Sequence, residues 1–351
     1  MRNGNLFFRF FSIFLLVFAV VFLTGCSLTG KSDGGVYKSE DGGSVFSQKA
    51  VIDEKTAISR DDILDIEIDT DQENVAYIGA GRAGLLRTTN GGESWARDAS
   101  NFTNVMSVKK IPGSQTIYIA AKMGNRGKVF KTIDGGENWT EIYTEKAEGS
   151  VIGTIAFDYR NPQILYIGSS TGGIFKTEDG GATWKTLLWA KSGVRKIVVD
   201  RADSSILYFG TVQSGALITK NAGKDFSEIK ESGQIFNIVV HPNQGGVVYL
   251  SDQNGLSKSS DYGDTWEVLN TLVKPEEISS RGLAINPSRS NELFYTAGKA
   301  FYKSTDGGET WKPVQFNINR IIREIEIDPR NSNVIYVGTT AGGSSFKLLP
   351  N

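Results

Sequence analysis

Residues 151–188 read VIGTIAFDYRNPQILYIGSSTGGIFKTEDGGATWKTLL, and the order of apolar and turn residues in this stretch decides the fold. Four runs rich in β-branched and aromatic residues, 152–157, 164–168, 173–177 and 183–188, read as strands. An Asp/Asn/Pro turn, a glycine turn and the string TEDGGATW separate them. No comparable stretch carries a helical period.

The string at Thr177 recurs along the chain. TTNGGESW starts at Thr88, TIDGGENW at Thr132, TKNAGKDF at Thr219, SSDYGDTW at Ser259 and STDGGETW at Ser304. Successive starts lie 44, 45, 42, 40 and 45 residues apart, and a weaker copy, SEDGGSVF, begins 49 residues earlier at Ser39. Four antiparallel strands every 40 to 49 residues is the pattern of a β-propeller blade. The sequence therefore predicts an all-β protein, a seven-bladed propeller of four-stranded antiparallel blades.

Each box has a physical task. A Ser/Thr hydroxyl and an Asp/Asn two residues on can bond the backbone N–H groups of the turn between strands three and four. The glycine takes positive φ without a steric cost. The terminal aromatic opens the outer strand and can bury roughly 150–250 Å² against a neighbouring sheet. The pairs Asn90 and Trp95, Asp134 and Trp139, Asp179 and Trp184, Asn221 and Phe226, Asp261 and Trp266, and Asp306 and Trp311 are read as architecture. A catalytic group is needed once, whereas six copies in register serve a fold. The aspartates are accordingly turn residues and not calcium ligands, and neither a metal nor a cofactor is expected.

Both ends of the repeat are incomplete. Residues 320–349 supply strands one, two and three of a further unit without a box, and residues 35–50 supply a box and an outer strand with nothing before them. Joining the two in one composite blade removes two exposed sheet edges. Residues 36–39 and 344–348 both offer its third strand, and the sequence does not choose between them.

Composition narrows the function. The 351 residues hold 38 Lys and Arg against 39 Asp and Glu, which argues against disorder and against a broadly basic nucleic-acid binder. One Cys and one His make a Cys/His zinc site, a disulfide framework or a Ser-His-Asp triad difficult or impossible to build. Arg2 and Arg9 flank the start of an apolar run over 10–23, about 21 Å as a helix and too short for a hydrocarbon core of roughly 30 Å. The run reads as a secretory signal, and it ends in Leu23-Thr24-Gly25-Cys26. The ending resembles a bacterial lipobox, which implies cleavage before Cys26 and a diacylglycerol on its sulfur. The domain reading is signal peptide 1–25, lipidated tether 26–34 and one propeller over 35–351. The mature protein is expected on a membrane through its N-terminal lipid, facing the periplasm or the cell exterior.

The boxes resemble Asp-box (bacterial neuraminidase-type) repeats, and residues 35–348 are similar to the propellers that carry them. Sialidases, xyloglucan-degrading hydrolases, sortilin-type receptors and photosystem II assembly/stability factors share such boxes. The last group is nearest in size and box density, and the resemblance implies a single seven-bladed propeller without catalysis. The Arg-Ile/Leu-Pro motif that sialidases carry is missing here; the nearest string is Lys110-Ile111-Pro112. No catalytic residue is assigned.

With first strands aligned on Asp69, Asp158, Asp200, His241, Asn286 and Asp328, the position five residues earlier holds Arg195, Arg281 and Arg323 in three blades. Arg60 and Arg320 fall nearby. Three guanidinium groups at one level of a channel mouth read as a dock for carboxylate, phosphate or an acidic peptide; the alternative is local pairing with Asp62, Asp65, Glu324 or Glu326. Two long loops, 49–62 and 270–280, are further binding candidates. Trp189, read in a loop leading to a first strand, is either an exposed contact or a cap on the blade core, and His241 is read as a turn residue. The expected function is binding of a protein partner as scaffold or assembly factor; the alternative is a glycan-binding or glycan-cleaving surface protein.

Overall fold

The computed structural model describes residues 32–98, 100, 102–231, 233–273 and 280–341. Cys26 and residues 344–348 lie outside them. Among the described residues are seven four-stranded antiparallel sheets. Contacts between successive first strands run round the molecule, and Ile321–Ile327 meets Ile63–Ile68 to close the ring. The chain is a seven-bladed β-propeller.

The last blade is composite. Its order is Ile321–Ile327, Ile335–Thr340, Val36–Ser39 and Ser47–Gln48, so the N-terminal segment supplies the third strand as well as the fourth. Val36 to Ser39 pair with Gly338 to Ile335 residue for residue.

Apolar residues pack between consecutive blades, as where Val36 and Tyr336 of the last blade meet Ile63, Ile66 and Ile78 of the first. Some of the chain's 40 glycines serve this approach and not a turn. A Cβ on Gly79, in a second strand, would stand 2.4 Å from the carbonyl oxygen of Val105 in the next blade, and one on Gly210 would stand 2.7 Å from a methyl of Ile235. Their absence lets the first strands crowd toward the axis.

The box chemistry holds in all seven copies. The Ser/Thr hydroxyl donates to the Asp/Asn oxygen at 2.5–2.9 Å. It accepts the N–H of the glycine four residues on at 2.8–3.1 Å. The Asp/Asn oxygen accepts the N–H two residues past that glycine at 2.8–3.0 Å. The residue before the glycine is also left-handed, and Ala222 and Tyr262 adopt φ of 58° and 61° there where the other boxes have glycine.

These bonds hold the box carboxylates ionised. The hydroxyls of Thr265 and Thr310 and their backbone N–H groups lower Asp261 and Asp306 to about 2, and Thr132 and Thr177 lead the groups holding Asp134 and Asp179 lower still. A carboxyl depressed in the fold contributes stability above its unfolded pKa and loses it as pH falls through the folded value. The melting temperature should therefore decline between about pH 4 and about pH 2 as the boxes protonate. Asp179→Asn with Asp306→Asn should flatten that decline, because Asn90 and Asn221 show that an amide serves the turn. A thermal melt series across this range checks it, and an equal decline in the double variant would refute the assignment.

Candidate functional site

The axis of the ring is a channel lined by the seven first strands, and each carries a bulge near its start. The register shifts between Ile63 and Asp65 in one blade and between Val194 and Lys196 in another, with equivalent shifts in the remaining five. A bulge breaks strict alternation and turns two consecutive side chains toward the same side. Arg195 with Lys196, Phe236 with Asn237, and Arg323 with Glu324 accordingly face one mouth together.

The structure brings Arg195 and Arg323 into one pocket, with Phe236 between them in the ring. The Arg195 guanidinium lies over the Phe236 ring, 5.9 Å from its centroid, and Arg323 Nε sits 3.4 Å from Glu324 Oε1. Arg281 belongs to the strand Ser280–Ile285 at the equivalent position, and its side chain lies outside the described residues. Arg320 is used elsewhere. Its Nη2 donates to the Asp61 carbonyl at 3.0 Å and to Asp62 Oδ1 at 2.8 Å, fastening the seam between the last and first blades.

The loop 49–62 is also built into that seam. Lys49 accepts a bond from Trp95, Ile58 is buried in the core, and Asp61 accepts the N–H groups of Arg82 and Ala83. Of the second long loop, residues 274–279 lie outside the described residues. His241 is a turn residue, its Nδ1 accepting the Asn243 N–H at 3.2 Å. Trp189 does not sit in a loop leading to a first strand. It ends the outer strand Lys185–Trp189, 57% exposed, with its ring edge-on to Phe175.

Deeper in the channel lies a charged belt of which only the acids Asp65, Glu324 and Glu326 were legible, and those merely as local partners for arginines. Lys109 Nζ binds Glu67 at 2.7 Å and stands 3.6 Å from Asp65. Asp65 Oδ2 accepts the N–H of Val108, and Glu67 that of Lys110, so these acids also tie the first blade to the second. Burial raises the Glu67 carboxyl, and burial followed by the Glu67 charge pushes Glu326 up to about 8. Burial works to lower the Lys109 ammonium, but Asp65 and Glu67 more than reverse it. The signal that could have found Glu67 and Lys196 is the strand alignment itself, taken two and four residues before the aligned position instead of five; Lys109 needed the first strand of the second blade added to it.

The chemistry of this arrangement is recognition of charge: guanidinium groups and an aromatic face at a concave mouth, with acids and bases below. Among the described residues no group of three or more His, Cys, Asp and Glu is placed to hold a metal ion.

Two family models match the chain. That of the photosynthesis system II assembly factor YCF48 covers residues 56–208, and that of the BNR/Asp-box repeat covers 302–313. Over 190 residues, 51% of this chain, it is 25% identical to a xyloglucanase of Hypocrea jecorina (strain QM6a), and it spans about a fifth of that enzyme's length. A GH74 xyloglucanase from Xanthomonas campestris superposes with a TM-score of 0.69 at 16% identity, over 80% of this chain and 51% of the enzyme. YCF48 from Cyanidioschyzon merolae gives 0.63 at 16% identity, over 80% of this chain and 95% of that protein. A structure of YCF48 bound to D1 peptide gives 0.60 at 19%, over 81% and 94%. At such identities the solved structures show a shared fold. The chain is an Asp-box propeller that resembles the YCF48-type factors and, over part of its length, the GH74 enzymes.

Proposed function

We propose that this protein is a non-catalytic scaffold or assembly factor, fixed to the outer side of a membrane through lipid on Cys26, that docks an acidic segment of a protein partner at the arginine-bearing mouth. The observation that carries this reading is the pairing of Arg195 and Arg323 in one concave pocket beside Phe236. Guanidinium groups bind carboxylates in a planar fork, and partial exclusion of water strengthens that attraction. The match to the YCF48 model and the likeness to a YCF48 that holds a peptide support a protein as the partner.

Crosslinking and pull-down of the lipidated protein from its native membrane is the test. Arg195→Ala with Arg323→Ala should cut partner capture about tenfold or more, and capture by the unaltered protein should weaken as salt is raised. An unchanged pull-down profile would reject the mouth as the docking site.

A second reading, glycan cleavage, draws on the xyloglucanase similarity and on the carboxyl of Glu326, raised by burial and by the nearby Glu67, two acids of the kind that acid–base work uses. It requires measurable turnover of xyloglucan that Glu326→Gln abolishes. On the docking reading there is no turnover to abolish.

A further inference from the structure

Beneath the mouth, toward the box side, the channel opens into a cavity of about 390 Å³. That volume falls within the range of small-molecule pockets. Its wall has two characters at the level of Glu67. The seventh, first and second blades place Glu326, Glu67 and Lys109 there, whereas the remaining four contribute Ala156, Val198, Val239 and Ala284.

Most charges facing the channel are held by a neighbour. Lys109 and the Lys110 N–H hold Glu67, the Val108 N–H holds Asp65, and Arg323 stands against Glu324. Two are not. Among the described residues neither Lys196 in the fourth blade nor Glu326 in the seventh makes a hydrogen bond or ion pair within 4 Å, although Lys196 acts on Glu324 and Glu326, and Lys109 on Glu326, at longer range; two blades lie between them on one side of the ring and three on the other. Both line the cavity. An ammonium and a carboxyl thus oppose one another across a partly dehydrated space with aliphatic side chains alongside. Leaving either unmatched is costly, and a molecule that meets both recovers that cost.

We propose that this cavity binds a small zwitterion whose carboxylate meets Lys196, whose ammonium meets Glu326, and whose aliphatic body lies against Val198 and Val239. The site is separate from the docking mouth and does not depend on it. Because Glu326 is neutral at pH 7, the incoming ammonium displaces its proton, so affinity should rise between about pH 6 and about pH 8. Asp65, Glu67, Lys109, Lys196 and Glu324 face the same space; Glu67 and Glu324 are also raised by burial.

Calorimetric titration of the folded protein with 6-aminohexanoate, with hexylamine and hexanoate as one-charge controls, tests the proposal. Saturable binding of the zwitterion is expected, about tenfold or more tighter than either control. Glu326→Gln and Lys196→Met should each weaken it about tenfold, and Glu326→Gln should remove the pH dependence. Val239→Phe, which fills the apolar wall and leaves every charge in place, should block binding while the melting temperature holds. Arg195→Ala should leave it intact, which separates this site from the proposed dock. No heat of binding up to about 10 mM, equal binding of the controls, or binding untouched by Val239→Phe would overturn the proposal.

Discussion

Removing residues 33–48 should leave a propeller that no longer closes, with a melting temperature lower by ten degrees or more. The segment supplies two of the four strands of the last blade. It buries Val36 and Tyr37, the first with no exposed surface at all. It is also fastened at its start: the Asn319 N–H donates to Asp33 Oδ2 at 2.6 Å, and the Thr339 N–H to the Gly35 carbonyl at 3.0 Å. Two buried side chains at about 1.5–3 kcal/mol each, with the ladder bonds added, give about 5 kcal/mol. In a domain of this size each kcal/mol is worth roughly 2–4 °C. The truncated protein would expose one sheet edge, Ile335–Thr340, together with the apolar face of the first blade, and should associate through them. Adding residues 33–48 back as a peptide should restore the melt. Val36→Asp tests the same strand at full length, because it places a carboxylate where the side chain has no exposed surface. A truncated chain melting within about two degrees of the intact one would show that closure does not depend on this segment.

Legibility followed the distance over which each feature is determined. The box was readable down to its hydrogen bonds, since hydroxyl, carboxyl and glycine all act within eight residues, and seven repetitions fixed the blade number. The composite last blade was readable from the ragged ends, but its third strand was not, because two segments of strand-like composition competed. Trp189 was misplaced for a local reason: a bulge between Ile174 and Phe175 leaves one extra residue on the partner strand, so the outer strand runs on to Trp189. The alignment put Arg195 and Arg323 at one level, and both line the same pocket. Arg320, read only as lying nearby, takes the local pairing stated as the alternative, with the Asp61 carbonyl and Asp62 some 260 residues away in sequence. The channel belt was missed because it exists only once seven strands meet at an axis. The second-strand glycines look like turn formers until the next blade arrives.

The last prediction concerns what binds one blade to the next. Trp95→Ala should cost about 3–5 kcal/mol, whereas Trp266→Ala, at the same position of another box, should cost about half as much. Trp95 is 2% exposed and packs with Ala50, Ile58 and Tyr336 across the seam. Its Nε1 donates to the Lys49 carbonyl at 2.9 Å and its backbone N–H to that of Val51 at 2.9 Å, both outside its own blade. Trp139 and Trp184 repeat the arrangement, bonding Asp98 and the Ile142 carbonyl of the blade before. Trp266 instead turns its Nε1 to Gly263 in its own box at 3.0 Å and is only half-buried. Truncating Trp95 therefore opens a cavity at the closing seam and leaves a carbonyl unmet, whereas truncating Trp266 chiefly exposes its own turn. Trp95→Phe separates the two contributions, keeping most of the volume and losing about 1 kcal/mol for the hydrogen bond. Denaturant unfolding of the three variants measures the order. If Trp266→Ala proves as damaging as Trp95→Ala, the box aromatic stabilises its own hairpin and the cross-blade bonds are incidental.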